Sequence, residues 1–259
     1  MGRKHIIFLG QGALFILSPF WLWQGFVWII SPNPLVFAAP LDAFAEFFGP
    51  QASLLWAALW DSLTVLIWSV PLAVLVGVGL ALILSGFPLA RALVLPGLVG
   101  VFAVPIYALN RALFSAMQLG FTTKIIVATL ILYFPILIAA LMGLRTIDSA
   151  ILEAAKLDGA SRLQILLRLM LPLAGPALAG GLLAAGAVAP LALFAAEQTG
   201  SPGGLGQLIR AQFVQNVDLA FAGVSLLILI GLGLFALAAG ARRVLSRHTS
   251  DSFTFLKGT

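Results

Sequence analysis

The chain has 259 residues, 61% hydrophobic and 9% charged, with a formal net charge of +5 and no cysteine; its mean hydropathy is +1.11. A soluble domain carries about 25% charged residues, so a soluble globular fold is excluded, and the absence of thiols excludes disulfides, thiolate catalysis and Cys-ligated metals. At about 20 residues per span with short loops, the length predicts an all-α polytopic membrane protein with about six transmembrane helices in one domain, 1–259, and no sizeable soluble part.

The first predicted span covers 6–30. It starts basic and turns apolar like a signal peptide, but its apolar core runs to Ile30 without a small-residue cleavage site, which predicts a retained span. Segment 31–53 carries Asp42 and Glu46 and no basic residue, and reads as an outer loop. The second span, 54–84, is too long for one straight crossing; Trp56, Trp60 and Asp61 suit an interfacial helix at its start. The remaining spans are predicted at 90–110, 124–144, 172–196 and 219–241. Runs such as "VPLAVLVGVGLALIL" (70–84) are continuously apolar and exclude the alternation of barrel strands. Prolines at 71, 96, 105, 135, 176 and 190 predict bends within or beside spans.

Threading six spans alternately places Arg3, Lys4, Arg91, Arg145, Lys156, Arg162, Arg168, Arg242, Arg243, Arg247 and Lys257 on one side. Only Arg111, Lys124 and Arg210 fall on the other, which predicts cytoplasmic N- and C-termini. Segment 197–218 then lies outside. Its "GSPGGLG" (200–206) lacks the lysine of a phosphate cradle and reads as a flexible outer loop.

The cytoplasmic loop 145–171 is long enough to fold. Asp148 or Ser149 can cap a short Ala-rich helix, and Gly159 can end it in a left-handed conformation. Ser161 followed by Gln164 is a capping-box pattern for a second helix running through "RLQILLRLML" into Pro172. The first helix offers Ile151, Leu152, Ala154 and Ala155 as a small, smooth apolar surface beside Glu153, a shape that fits a groove on another protein. Resting on lipid headgroups is the alternative, but that use favours bulky anchors and Lys over Ala and Gly.

The spacing in this loop is Glu153, Ala154, Ala155, three residues, Gly159, nine residues, Leu169, any residue, Leu171 and Pro172. It resembles the cytoplasmic coupling loop of binding-protein-dependent ABC importer permeases, whose pattern is Glu-Ala-Ala, three residues, Gly, nine residues, Ile, any residue, Leu-Pro. Leu169 stands where Ile is usual. The likeness extends over most of the chain: "SPNPLVFAAPLDAFAEF", "YFPILIAALMGLRTID" and "EQTGSPGGLGQLI" resemble the branch that imports nitrate, sulfonates and taurine, while "LDGAS" (157–161) is similar to the sugar branch. The resemblance implies a type I ABC importer permease fold in the bacterial inner membrane, with Glu153, Ala154, Ala155, Asp158, Gly159, Leu171 and Pro172 forming the contact to an ATPase. It further implies two ATPase subunits holding ATP and Mg, an extracytoplasmic solute-binding protein and a second permease chain, a homodimer being favoured over a heterodimer.

For the translocation path the candidates are Tyr107, Asn110 and Arg111, and Glu197, Gln198 and Thr199. Arg111 attracts an anionic solute if it faces a cavity, or snorkels if it sits at the outer interface; Glu197 lines the path or caps the fifth span. The four lysines follow Arg3, Thr123, Ala155 and Leu256, so no Walker loop exists and no cofactor is expected on this chain. His5 and His248 lie in the tails, and no cluster suggests a metal or catalytic site. Scattered basic residues argue against nucleic acid as a partner. An ion-coupled carrier would need intramembrane carboxylates, an intramembrane enzyme a nucleophile facing a base, and a structural subunit would leave the loop spacing unexplained.

Overall fold

The structure, a computed structural model, describes residues 18, 20–103, 112, 115, 116, 120–198 and 202–255. Its elements, in chain order, are α1 (Phe20–Ile30), α2 (Pro40–Ala45), α3 (Ala52–Gly86), α4 (Pro88–Ala103), α5 (Phe121–Arg145) and α6 (Ser149–Leu157). Next, α7 begins at Arg162–Gln164, widens into a π-helix over Ile165–Met170 and returns to α geometry at Leu171–Leu173. The chain continues with α8 (Gly175–Glu197), α9 (Leu205–Gln212) and α10 (Val217–Phe255). Among the described residues there is no strand.

Among the described residues, four helices are long and apolar enough to cross a bilayer: α3, α5, α8 and the Val217–Arg243 part of α10. The expected spans at 6–30 and 90–110 correspond to the shorter apolar helices Phe20–Ile30 and Pro88–Gly100, and the outstanding parts of both segments lie largely outside the described residues.

Trp56, Trp60 and Asp61, expected in an interfacial helix at the start of the second span, belong instead to the span helix itself. Its 35 residues form one continuous helix through Pro71, about 52 Å long against a hydrocarbon core of about 30 Å. The segment before it is tied to its first turn, where the Trp56 indole N–H donates to the Phe47 carbonyl at 3.3 Å. α1 is held to α10 through aromatic packing, with Trp23 and Phe37 ring centroids 5.5 and 5.0 Å from Phe221.

At the centre is α5, packed against α3 on one side and α8 on the other, with α8 packing in turn on α10. Val127, Leu132 and Leu137 of α5 and Ala189, Ala192 and Leu193 of α8 are fully buried. Outward positions are equally apolar, with Ile67, Trp68 and Leu75 of α3 all exposed; helices apolar all round are suited to lipid rather than water. Since lipid tails are as apolar as leucine, helix association there depends on close packing of small residues. The α5–α8 seam has that character. A Cβ on Gly143 would come 2.5 Å from Ala177 Cβ, and one on Gly181 would come 2.7 Å from Ala139 Cβ.

Candidate functional site

Two places in the fold gather the residues singled out in the sequence. The first is the loop that joins α5 to α8. Asp148 adopts extended geometry and its carboxylate accepts from Ala150 N–H at 2.9 Å, starting α6. At the other end Gly159 has φ +80°, and Gly159 N–H and Ala160 N–H donate to the Lys156 and Ala155 carbonyls, both at 3.0 Å. These two bonds make a Schellman cap, which needs a left-handed residue where Gly159 stands. The capping box also forms: Gln164 N–H donates to Ser161 Oγ at 3.3 Å and Ser161 N–H donates to Gln164 Oε1 at 2.8 Å. The three helix boundaries expected from the sequence, the start and end of α6 and the start of α7, are therefore present.

α6 has no buried residue. Glu153, Ala154, Asp158 and Gly159 are exposed, Ala155 is half-buried, and Leu157 is 88% exposed. At the exit, Leu171 is half-buried and Pro172 exposed. Pro172 has no N–H to give the Arg168 carbonyl, and it stands two residues past the π stretch, whose cap Leu171 N–H reaches back to the Leu166 carbonyl.

The second place is the opposite end of the same two spans. Glu197 is 0% exposed. Ser62 Oγ donates to Glu197 Oε1 at 2.7 Å, and Gly206 N–H donates to Glu197 Oε2 at 2.8 Å. The Ser62 hydroxyl in turn accepts from Leu205 N–H at 2.9 Å. Leu205 and Gly206 are the first two residues of α9, so the orphan donors of that helix are capped by side chains from α3 and α8.

Lys124 of α5, 2% exposed, donates to the Pro202 and Gly203 carbonyls at 3.0 and 2.8 Å, and the Gln207 side chain accepts from Gly203 N–H. Gly203 and Gly204 have φ of +90° and +93°. A Cβ on Gly204 would run into the Glu197 carboxylate, and one on Gly203 into that of Asp61.

Sequence reasoning left Glu197 either lining the path or capping the fifth span, and placed the 200–206 segment in a flexible loop. The structure corrects the second expectation for residues 202–206, which are clamped from three spans. It encloses Glu197 completely, while its neighbour Gln198 is half-buried. Tyr107, Asn110, Arg111 and Thr199 lie outside the described residues. Ser62 and Lys124 were missed as site residues. Their only sequence signal is a Gly-Gly pair shortly after a carboxylate at the end of a span.

Among the described residues the chain is an all-helical membrane fold with a capped amphipathic helix between two tightly packed spans, and the comparisons give its class. Residues 51–251 match the family of binding-protein-dependent transport system inner membrane components, and the chain belongs to that family. It is 36% identical over 215 residues to the "Probable ABC transporter permease protein" of Haemophilus influenzae, covering 83% of this chain and 87% of that one. It is 33% identical to the riboflavin transport system permease RibX of Chloroflexus aurantiacus (80% and 82% covered) and 29% identical to the taurine transport system permease TauC of Escherichia coli (93% and 88% covered). A solved structure of the MetNI methionine ABC transporter in inward-facing conformations aligns with TM-score 0.62 at 21% identity, over 76% of this chain and 98% of that chain, and shares the fold. The protein is a permease of an ABC importer.

Proposed function

We propose that this permease works as one of two identical chains, with both termini cytoplasmic, and that α6 and its Gly159 turn dock into a separate ATPase. A solute-binding protein then delivers a small solute on the outer side. The observation that carries the docking reading is α6 itself. It is capped at both ends and preformed, yet none of its residues is buried and Leu157 stands 88% exposed on it. A short helix gains most of its stability from tertiary packing, and among the described residues this one buries no side chain fully, which supports a partner groove as its packing surface. ATP hydrolysis on another subunit is supported by the lack of a Gly-Lys pair anywhere in the sequence.

The solute proposed is a small anion such as a sulfonate, taurine or nitrate, supported by the likeness to TauC over 93% of the chain. The slightly higher identity to RibX favours a larger organic solute as the second reading. Affinity purification of the tagged protein from mild detergent tests the docking: recovery of a Walker-containing ATPase, lost in Gly159→Asp and Glu153→Lys, is expected. Intact ATPase recovery and transport in both variants would overturn it. Proteoliposomes holding the recovered complex and its binding protein, supplied with taurine or riboflavin, separate the two solutes.

A further inference from the structure

The two spans that flank the cytoplasmic loop are also the two that hold the outer turn. α5 carries Lys124 in its first turn and runs into the loop at Arg145; α8 leaves the loop at Gly175 and ends on Glu197. Between these ends the seam of Ala139, Gly143, Ala177 and Gly181 brings the helices into contact that leaves no room for a further Cβ at either glycine. Close-packed elements of this kind move as rigid pieces rather than deforming continuously. At the far end, the Glu197 carboxylate, the Ser62 hydroxyl and the Lys124 ammonium take up the backbone groups of 202–206. The buried face of α9, Leu205, Leu208 and Ile209, then seats that helix against the spans and leaves Arg210 exposed.

We infer that Glu197 is a positioning residue which, with Ser62 and Lys124, clasps the 202–206 turn so that α9 travels with α5 and α8 when the cytoplasmic loop is displaced. The inference rests on the importer reading above and adds to it an outer end for the motion. A solvated turn would let α9 lag behind the spans. A turn held by a buried carboxylate and a buried ammonium cannot, because releasing either group leaves it unpaired away from water. Each charge-assisted bond lost shifts the balance from clasped to released about tenfold or more.

The chain has no cysteine, so Arg210→Cys gives one spin-label site on α9 without background. In the permease alone, the label is expected to be ordered, and to become mobile in Glu197→Gln and in Ser62→Ala, while Ser62→Thr, which keeps the hydroxyl, restores order. In the complex with its ATPase, the label's spectrum is expected to shift between nucleotide-free and vanadate-trapped states. That shift is expected to vanish in Glu197→Gln and Ser62→Ala with ATPase recovery and basal hydrolysis unchanged. Unchanged label mobility in both variants overturns the clasp, and a retained nucleotide-dependent shift overturns its role in carrying α9. Failure of the unsubstituted permease to recover any ATPase overturns the importer docking instead, and the label mobility of the isolated chain still decides the clasp.

Discussion

Gly143 of α5 faces Ala177 of α8 so closely that a Cβ on the glycine would lie 2.5 Å from the alanine's own. One turn further along each helix the roles exchange, and Gly181 faces Ala139 with 2.7 Å to the same hypothetical atom. This is an antiparallel small-xxx-small seam, Ala139 to Gly143 against Ala177 to Gly181. Gly143→Val is expected to cost about 1–3 kcal/mol through overpacking, seen as a lower unfolding temperature in detergent. Gly79→Ala, whose Cβ would meet nothing within 4 Å, serves as the comparison and gains up to about 1 kcal/mol in helix propensity. Equal unfolding temperatures for Gly143→Val and the parent would mean that the seam is looser than drawn.

Two glycines with similar positive φ, of which Gly204 also has ψ +154°, should respond differently to the same substitution. Gly159 (φ +80°) has open space where a Cβ would go, whereas Gly204 (φ +93°) points that position at the Glu197 carboxylate. Gly159→Ala therefore costs only the left-handed penalty of about 1–2 kcal/mol. Gly204→Ala adds displacement of a buried carboxylate and is expected to lower the unfolding temperature more. Finding Gly159→Ala the more damaging of the two in detergent would contradict the geometry of the outer turn.

The caps of α6 and α7 predict local rather than global effects. Asp148→Ala and Ser161→Ala each remove a side-chain acceptor from an exposed helix start, worth about 1 kcal/mol. Amide exchange is expected to quicken over 149–157 in the first variant and over 162–170 in the second, with the unfolding temperature nearly unchanged. Unaltered exchange in both segments would show that the helices do not depend on these caps.

Topology is directly testable because the chain lacks cysteine. Leu157 and Val214 are 88% and 92% exposed and belong to opposite ends of the spans in the proposed threading. In right-side-out vesicles, a membrane-impermeant maleimide is expected to label Val214→Cys and to reach Leu157→Cys only after permeabilisation. The reverse pattern would invert the orientation inferred from the positive charges.

Much of the connection between α5 and α8 was legible in the sequence because its determinants are local. Asp148, Gly159, Ser161 and Gln164 act within four residues of the groups they cap, so spacing alone reveals the bonds. The four spans α3, α5, α8 and α10 were legible for the same reason, apolar runs being a contiguous signal, although nothing local showed that α3 would begin at Ala52 without a break. The site around Glu197 was not legible. Glu197 meets Ser62 across 135 positions and Lys124 meets Pro202 across 78, and a carboxylate at the end of a span reads equally as a path residue or a cap. Only the packing of α3, α5 and α8 decides which backbone groups that carboxylate finds.

The π-helical stretch at Ile165–Met170 makes the loop a geared connection. An α-helix turns about 100° per residue, and the bond from Leu171 N–H to the Leu166 carbonyl spans five residues instead of four, so one extra residue is absorbed in the winding. The surplus residue is thereby carried without putting α6 out of phase with α8. Deleting one residue between Ile165 and Met170 is expected to restore ordinary winding with α6 in phase and ATPase recovery kept, whereas deleting a second turns α6 by about 100° relative to α8 and abolishes recovery from a chain whose own side chains at 149–160 are unaltered. Undiminished recovery after the second deletion would show that the loop tolerates being out of phase.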